Sequence, residues 1–134
     1  MIIDTMVFVY ALLKVDNKYE ESLEVLEKAN KVVVPDSFRA EFTNVVWQWV
    51  KHGNIPQEYA YNTLQDAEGF IDQVVSSEKI WLKALQLAIA SDHPAYDTLF
   101  VAAAMSQNEK VVTYDKKMQD KFPNWVLSPQ GFLN

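Results

Sequence analysis

The chain has no cysteine, only three glycines, two histidines and a single arginine among its 134 residues. Without cysteine there is neither a disulfide nor a thiolate metal site. His52 and His93 are too few and too far apart in sequence to suggest a zinc centre, so any metal is expected to be held by oxygen. Long apolar runs are also missing. The longest, Met6 to Leu13, falls well short of the ~18 residues of a membrane-spanning helix, and no basic segment precedes it. The expectation is a soluble, cytoplasmic protein with no membrane partner. Positive charge is scarce as well: 18 acids against 12 bases give a net charge of −6. That balance opposes the usual electrostatic footprint of a nucleic-acid binder. It leaves open a site where divalent ions supply the positive charge for phosphates.

What is present is a globular composition, 49% hydrophobic and 22% charged. A chain of this length buries roughly two-thirds of its unfolded surface, enough for one self-sufficient domain spanning residues 1–134. The opening Ile2-Ile3-Asp4-Thr5 reads as a short buried strand that ends at a carboxylate and passes directly into a helix. Asn17 to Lys28 reads as a surface helix with one apolar stripe. The β-branched run Lys31 to Val34, stopped by Pro35, predicts a second strand. Asp36 and Ser37 offer an N-cap for a helix reaching Lys51, where His52-Gly53 marks its end.

Further on, a helix from Pro56 to Asp66 is expected to break at Glu68-Gly69, before a third strand within Phe70 to Val75. Ser76-Ser77 can cap the next helix, which runs to Ser91-Asp92. Ala95 to Gln107 predicts a helix apolar on all sides, hence buried. Lys110 to Thr113 reads as a strand, Lys116 to Lys121 as a short helix and Val126-Leu127 as an edge strand. Strands alternating with helices predict an α/β fold, a three-layer α/β/α sandwich around a central parallel sheet.

Four acids are then brought toward one sheet edge. Asp4 closes the first strand, Asp115 follows the strand ending at Thr113, and Glu41 lies in the first turns of the helix after the second strand. Asp97 lies in the first turn of the buried helix, where an unpaired carboxylate is costly to desolvate. Each alone has an ordinary explanation as a helix cap or helix-dipole acid. Gathered in one pocket they would repel one another unless cations sat between them, so the cluster implies divalent metal. Oxygen-only ligation favours Mg²⁺ or Mn²⁺.

Four stretches carry a family resemblance: Ile2-Ile3-Asp4-Thr5, Pro35 to Val45, Ala95 to Ala104, and Val111 to Met118. In this order and at these intervals they resemble PIN-domain proteins, in particular the small VapC-type ribonuclease toxins. The resemblance implies a PIN-like parallel sheet with the first strand central, and it maps the family's acidic quartet onto Asp4, Glu41, Asp97 and Asp115. Two other acidic α/β sites fit poorly. A haloacid-dehalogenase-type phosphatase needs a second Asp two residues after the first, where this chain has Met6. A response-regulator receiver needs an acidic pair and a late strand-end lysine, and neither is evident.

The resemblance implies metal-assisted hydrolysis of an RNA phosphodiester. Asp4, Asp97 and Asp115 would hold one or two Mg²⁺ or Mn²⁺ ions, and Glu41 would position or deprotonate the attacking water. Two ions about 4 Å apart would clamp the attacking and leaving oxygens. Thr5, Asn44 and Thr113 are candidates to orient the carboxylates, and Arg39, Lys116 and Lys117 are the nearest bases for a flanking phosphate. The implied partners are an RNA substrate, a second copy of the chain as a homodimer, and a small antitoxin protein. Alternatives within the fold are an RNA-maturation nuclease and a binding module without turnover. Trp47, Trp49, Tyr59 and Tyr61 give modest independent support for an interface, with Trp49 assigned to the core and Trp47 to the surface.

Overall fold

A computed structural model describes all of residues 1–134. Five parallel strands alternate with eight α-helices. In chain order these are β1 (Ile2–Ile3), α1 (Thr5–Leu12), α2 (Tyr19–Lys28), β2 (Val33–Pro35), α3 (Phe38–Lys51), α4 (Gln57–Phe70) and β3 (Gln73–Val75). A 3₁₀ turn (Ser77–Lys79) follows, then α5 (Trp81–Ser91), α6 (Ala95–Gln107), β4 (Val111–Val112), α7 (Lys116–Lys121), β5 (Val126–Leu127) and α8 (Pro129–Leu133). The sheet order is β3-β2-β1-β4-β5, every pair parallel. Chain progress runs outward from β1 to β3 on one side, then jumps back to β4 on the other. The order therefore reverses beside β1, which is where ligands of open parallel sheets bind, outside the carboxyl ends of the strands.

Side-chain alternation along the strands divides the interior into two cores. Ile3, Val34 and Val112 point to the side covered by α1, α2, α3 and α4. Ile2, Val33, Val75, Val111 and Val126 point to the side covered by α5, α6 and α7. This is the expected three-layer α/β/α arrangement. Phe8, Phe38 and Phe42 knit α1 to α3, with ring centroids 4.5 Å (Phe8–Phe38) and 5.3 Å (Phe38–Phe42) apart. Truncating one such buried ring to alanine costs about 3–5 kcal/mol, so the two elements that carry Thr5 and Glu41 are firmly seated. α6 is buried along Phe100–Ala104, matching its all-round apolar sequence.

Several boundaries differ from the sequence expectation for identifiable reasons. α4 does not break at Glu68-Gly69 but runs through to Phe70. Gly69 costs roughly 1 kcal/mol in a helix interior, and burial of Ala60, Thr63 and Ala67 on one face, with Phe70 against the core, outweighs it. Pro35 ends β2 from inside the strand, because the ladder bond at that end is donated by Asp36 N to the Val75 carbonyl. Neither Asp36 nor Ser37 caps α3 through its side chain. The Asp36 carboxylate instead accepts from the Ser77 N–H and hydroxyl, tying the chain after β3 to the end of β2. Ser76-Ser77 correspondingly opens a 3₁₀ turn, and α5 begins only at Trp81. The sequence reading missed α8, although Ser128-Pro129 is a cap followed by proline at the first helical position, and the Ser128 hydroxyl accepts from Gly131 N at 2.9 Å. No helix is long and apolar enough to cross a membrane.

Candidate active site

Asp4 sits between β1 and α1 in extended conformation and caps the helix. Its Oδ1 accepts from Thr5 N at 2.9 Å, and its Oδ2 accepts from the Thr113 hydroxyl at 2.5 Å. Capping and site membership are thus the same placement rather than rivals. One residue on, the Thr5 hydroxyl donates to Glu41 Oε1 at 2.7 Å, fixing the α3 acid toward the same point. Thr113, at the end of β4, also accepts from Asp115 N at 3.0 Å. Asp115 caps α7 through Oδ1, which accepts from Lys117 N and Met118 N. Asp97, in the first turn of α6, has its Oδ2 2.9 Å from His93 Nε2.

These groups share one open pocket of about 730 Å³ at the carboxyl edge of the sheet. Asp4, Glu41, Asp97 and Asp115 all line it, together with Thr5 and Asn44. Thr113 is fully buried just beneath, reaching the pocket through Asp4. The three proposed bases lie differently. Arg39 is engaged by Glu68 through both Nε and Nη2 and lines a separate groove between α3 and α4. Lys116 and Lys117 are exposed beside Asp115, and Lys116 Nζ lies 3.3 Å from Asp120.

Electrostatics register the crowding. Burial pushes the Asp4 carboxyl up to about 7, opposed by the Thr113 hydrogen bond and reinforced by the charges of Asp97 and Glu41. Burial likewise raises Glu41, against the Thr5 hydrogen bond and with the charge of Asp97. Asp97 is raised by burial, held back by His93, and raised again by Asp115. A set of carboxylates resisting ionisation is the state that a divalent cation relieves. Asp97 Oδ1 and Asp115 Oδ2 accept no hydrogen bond from the protein and remain free to ligate. The residues present therefore fit a hard or borderline divalent ion.

Three features escaped the sequence reading. His93, too far from His52 in sequence to pair with it, stands 6% exposed against Asp97. It precedes α6, so helical spacing does not mark it. Tyr10, Tyr96 and Tyr114 also line the acid pocket, and Tyr96 is 72% exposed. Lys18 Nζ stands 5.0 Å from the centroid of the Tyr10 ring, placing a cation at that rim. Nothing in the spacing of the tyrosines marks them, since they come from α1, α6 and the loop after β4. Trp49 packs against the core, whereas Trp47 is 54% exposed.

Comparison with known proteins agrees with this geometry. The PIN domain pattern matches residues 1–122. Ribonuclease VapC3 of Pyrobaculum aerophilum is 25% identical over 118 residues, covering 87% of this chain and 90% of that protein. Among solved structures, PAE2754 from Pyrobaculum aerophilum superposes with a TM-score of 0.75 at 16% identity, over 98% of this chain and 85% of the other. VapBC2 from Rickettsia felis, bound to a DNA fragment from its promoter, gives 0.70 at 21% identity, covering 95% of this chain and 96% of the other. A toxin-antitoxin complex from Klebsiella pneumoniae gives 0.68 at 16% identity, with 96% of each chain covered. With its whole acidic pocket inside the matched segment, the chain belongs to the PIN domain family.

Proposed function

We propose that the chain is a metal-dependent endoribonuclease, acting as one domain over residues 1–134 in the cytoplasm, and that it is the toxin of a toxin-antitoxin pair. The observation that carries the reading is the meeting of Asp4, Glu41, Asp97 and Asp115 in one pocket where the sheet order reverses. The name of the VapC3 relative and the toxin-antitoxin assemblies among the structural relatives support the same direction.

In this mechanism Asp4, Asp97 and Asp115 would hold Mg²⁺ or Mn²⁺, and an ion so held would supply positive charge for the scissile phosphate and a lowered pKa for water. Glu41, its carboxyl raised by burial, would accept the proton of the attacking water as that oxygen bonds to phosphorus and the P–O bond to the leaving oxygen breaks, the leaving oxygen taking its proton from solvent. Thr5 and Thr113 fix the rotamers of Glu41 and Asp4; Asn44, on the pocket wall, makes no side-chain hydrogen bond to the acids and would orient them only in the loaded site. Lys116 and Lys117 meet flanking phosphates; Arg39 contributes only if it leaves Glu68. Tyr96, exposed at the rim, offers its ring to an unpaired base.

The proposed antitoxin lies on α3. That helix contributes Glu41, Asn44 and Val45 to the acid pocket on one face, and Val46, Trp47 and Val50 to an apolar groove with Tyr61 of α4 on another. A segment seated in the groove would have to cross over α3 to reach the acids. The proposed homodimer uses α5, whose Trp81, Leu82, Leu85 and Ile89 are all more than half exposed. The test is hydrolysis of single-stranded RNA with added Mg²⁺ or Mn²⁺. Cleavage abolished by chelation and by Asp4→Asn is expected; cleavage retained in that variant, or none in the wild type, removes the nuclease reading.

A further inference from the structure

The carboxylate cluster has one neighbour of different chemistry. α5 ends at Asp92 in a left-handed conformation, φ 51°, which turns the chain back so that His93 N donates to the Ala88 carbonyl at 3.2 Å. The imidazole is thereby folded inward. It stands edge-on to Phe122, with centroids 5.9 Å apart and planes at 86°. Pro94 then starts α6, and the first turn of that helix brings Asp97 Oδ2 to 2.9 Å from His93 Nε2. Ligand atoms of His93, Asp97 and Asp115 all lie within 4.8 Å of one another.

A buried histidine hydrogen-bonded to a carboxylate is ordinary by itself. The His93–Asp97 spacing, however, also suits two ligands of one ion, with a donor atom of Asp115 near both. Neighbouring donors at about 2.1 Å from an octahedral cation stand roughly 3 Å apart, and opposite donors about 4.2 Å apart. The His93–Asp97 separation of 2.9 Å matches the first value. The backbone bond to Ala88 and the Phe122 ring already hold the imidazole in place, so little side-chain freedom is lost on ligation.

We propose that His93 Nε2 is a direct ligand of the divalent cation, beside Asp97 and Asp115, and that this nitrogen makes the centre prefer Mn²⁺ and later first-row ions over Mg²⁺. The proposal rests on the metal-nuclease reading above and goes beyond it. Carboxylates alone suit Mg²⁺, whereas imidazole adds affinity that rises along the first-row series. Without the imidazole the centre falls back on oxygen donors, so its loss weakens Mn²⁺ far more than Mg²⁺.

The test uses the full chain with Mn²⁺ alone, by pulsed EPR and by calorimetry. Wild-type protein is expected to show ¹⁴N modulation from a coordinated imidazole. His52→Gln retains it, and His93→Gln loses it. Calorimetry is expected to give at least about a ten-fold loss of Mn²⁺ affinity in His93→Gln, with Mg²⁺ affinity changed by less than about three-fold. Bound Mn²⁺ without nitrogen coupling in the wild type overturns the proposal and leaves the metal centre standing, with His93 merely positioning Asp97. Wild-type protein that binds no Mn²⁺, or binds it equally well as Asp97→Asn, overturns both. The wild-type spectrum decides even if His93→Gln fails to fold.

Discussion

Thr113 Oγ1 lies 2.5 Å from Asp4 Oδ2, a hydrogen bond that bridges the ends of β4 and β1 across the reversal of the sheet order. The same oxygen accepts from Asp115 N, so a single hydroxyl sets two of the four acids. Because the bond to Asp4 lowers a carboxyl that burial raises, its removal raises Asp4 further. Thr113→Val keeps the shape and deletes the bond. A hydrogen bond to a charged group contributes about 1.5–3 kcal/mol, or roughly one to two pH units. The acidic limb of the kcat/KM profile at limiting metal is expected to move up by about one unit in Thr113→Val and to return in Thr113→Ser. An unmoved limb would show that Asp4 does not need to ionise for cleavage.

Asp4 also predicts how stability depends on pH. Its folded carboxyl is raised from 3.8 to about 7, so the native state holds the proton more tightly than the unfolded chain does. Stability is then lost as pH rises from about 4 through 7, by about 4 kcal/mol in full. Asp4→Asn removes the charge but also an acceptor for Thr113, so the net gain at pH 8 is expected to be ~1–3 kcal/mol, a few degrees in Tm. Metal-free wild type should melt higher at pH 6 than at pH 8, with Asp4→Asn nearly level between them. Saturating Mn²⁺ should flatten the wild-type dependence. Cleavage should be abolished throughout. A lowered Tm in Asp4→Asn at pH 8 would make the residue structural.

Why the quartet was legible, and His93 was not, has a physical reason. A carboxylate at the end of a β-branched run, or in the first turn of an apolar helix, is placed by the strand and helix themselves. Asp4, Glu41, Asp97 and Asp115 therefore follow from period and punctuation, and so does the parallel sheet. His93 is placed by a left-handed residue at Asp92 and a restart at Pro94, a turn whose direction no periodicity encodes. The tyrosines at the pocket are brought together only by packing: Tyr10 and Tyr114 meet at 5.2 Å from elements more than a hundred residues apart. Likewise α4 overrides its own glycine because its Ala60, Thr63 and Ala67 face is buried and it packs against α1 and α3.

Basic residues around the pocket are expected to act unequally. Arg39 is held by Glu68 at an exposed position, away from the acids. Arg39→Ala should leave RNA affinity within about two-fold and cost no more than ~1 kcal/mol of stability, as for exposed ion pairs generally. Lys117 is adjacent to Asp115 and in no ion pair. Lys117→Ala should raise KM several-fold and reduce the slope of log affinity against log salt by about one. A large effect of Arg39→Ala with none from Lys117→Ala would place the RNA path over Arg39 instead.

Two exposed apolar surfaces should separate by partner. Copies carrying a net charge of −6 repel one another, so self-association needs a face with little charge. α5 supplies it: Lys83 is the helix's one charged residue, and Trp81, Leu85 and Ile89 lie along an exposed stripe. Ile89→Glu buries a carboxylate in any symmetric contact made there, at a cost of several kcal/mol. Sedimentation equilibrium should show a dimer for the wild type and a monomer for Ile89→Glu, with the acid pocket of each protomer untouched. Trp47→Ala, in the α3–α4 groove, should instead leave the dimer intact and weaken capture of the proposed antitoxin by at least about ten-fold. If Trp47→Ala dissociates the dimer and Ile89→Glu does not, the surfaces are exchanged, and the proposed antitoxin would reach the acids from α5 and the exposed Tyr96 rather than from α3.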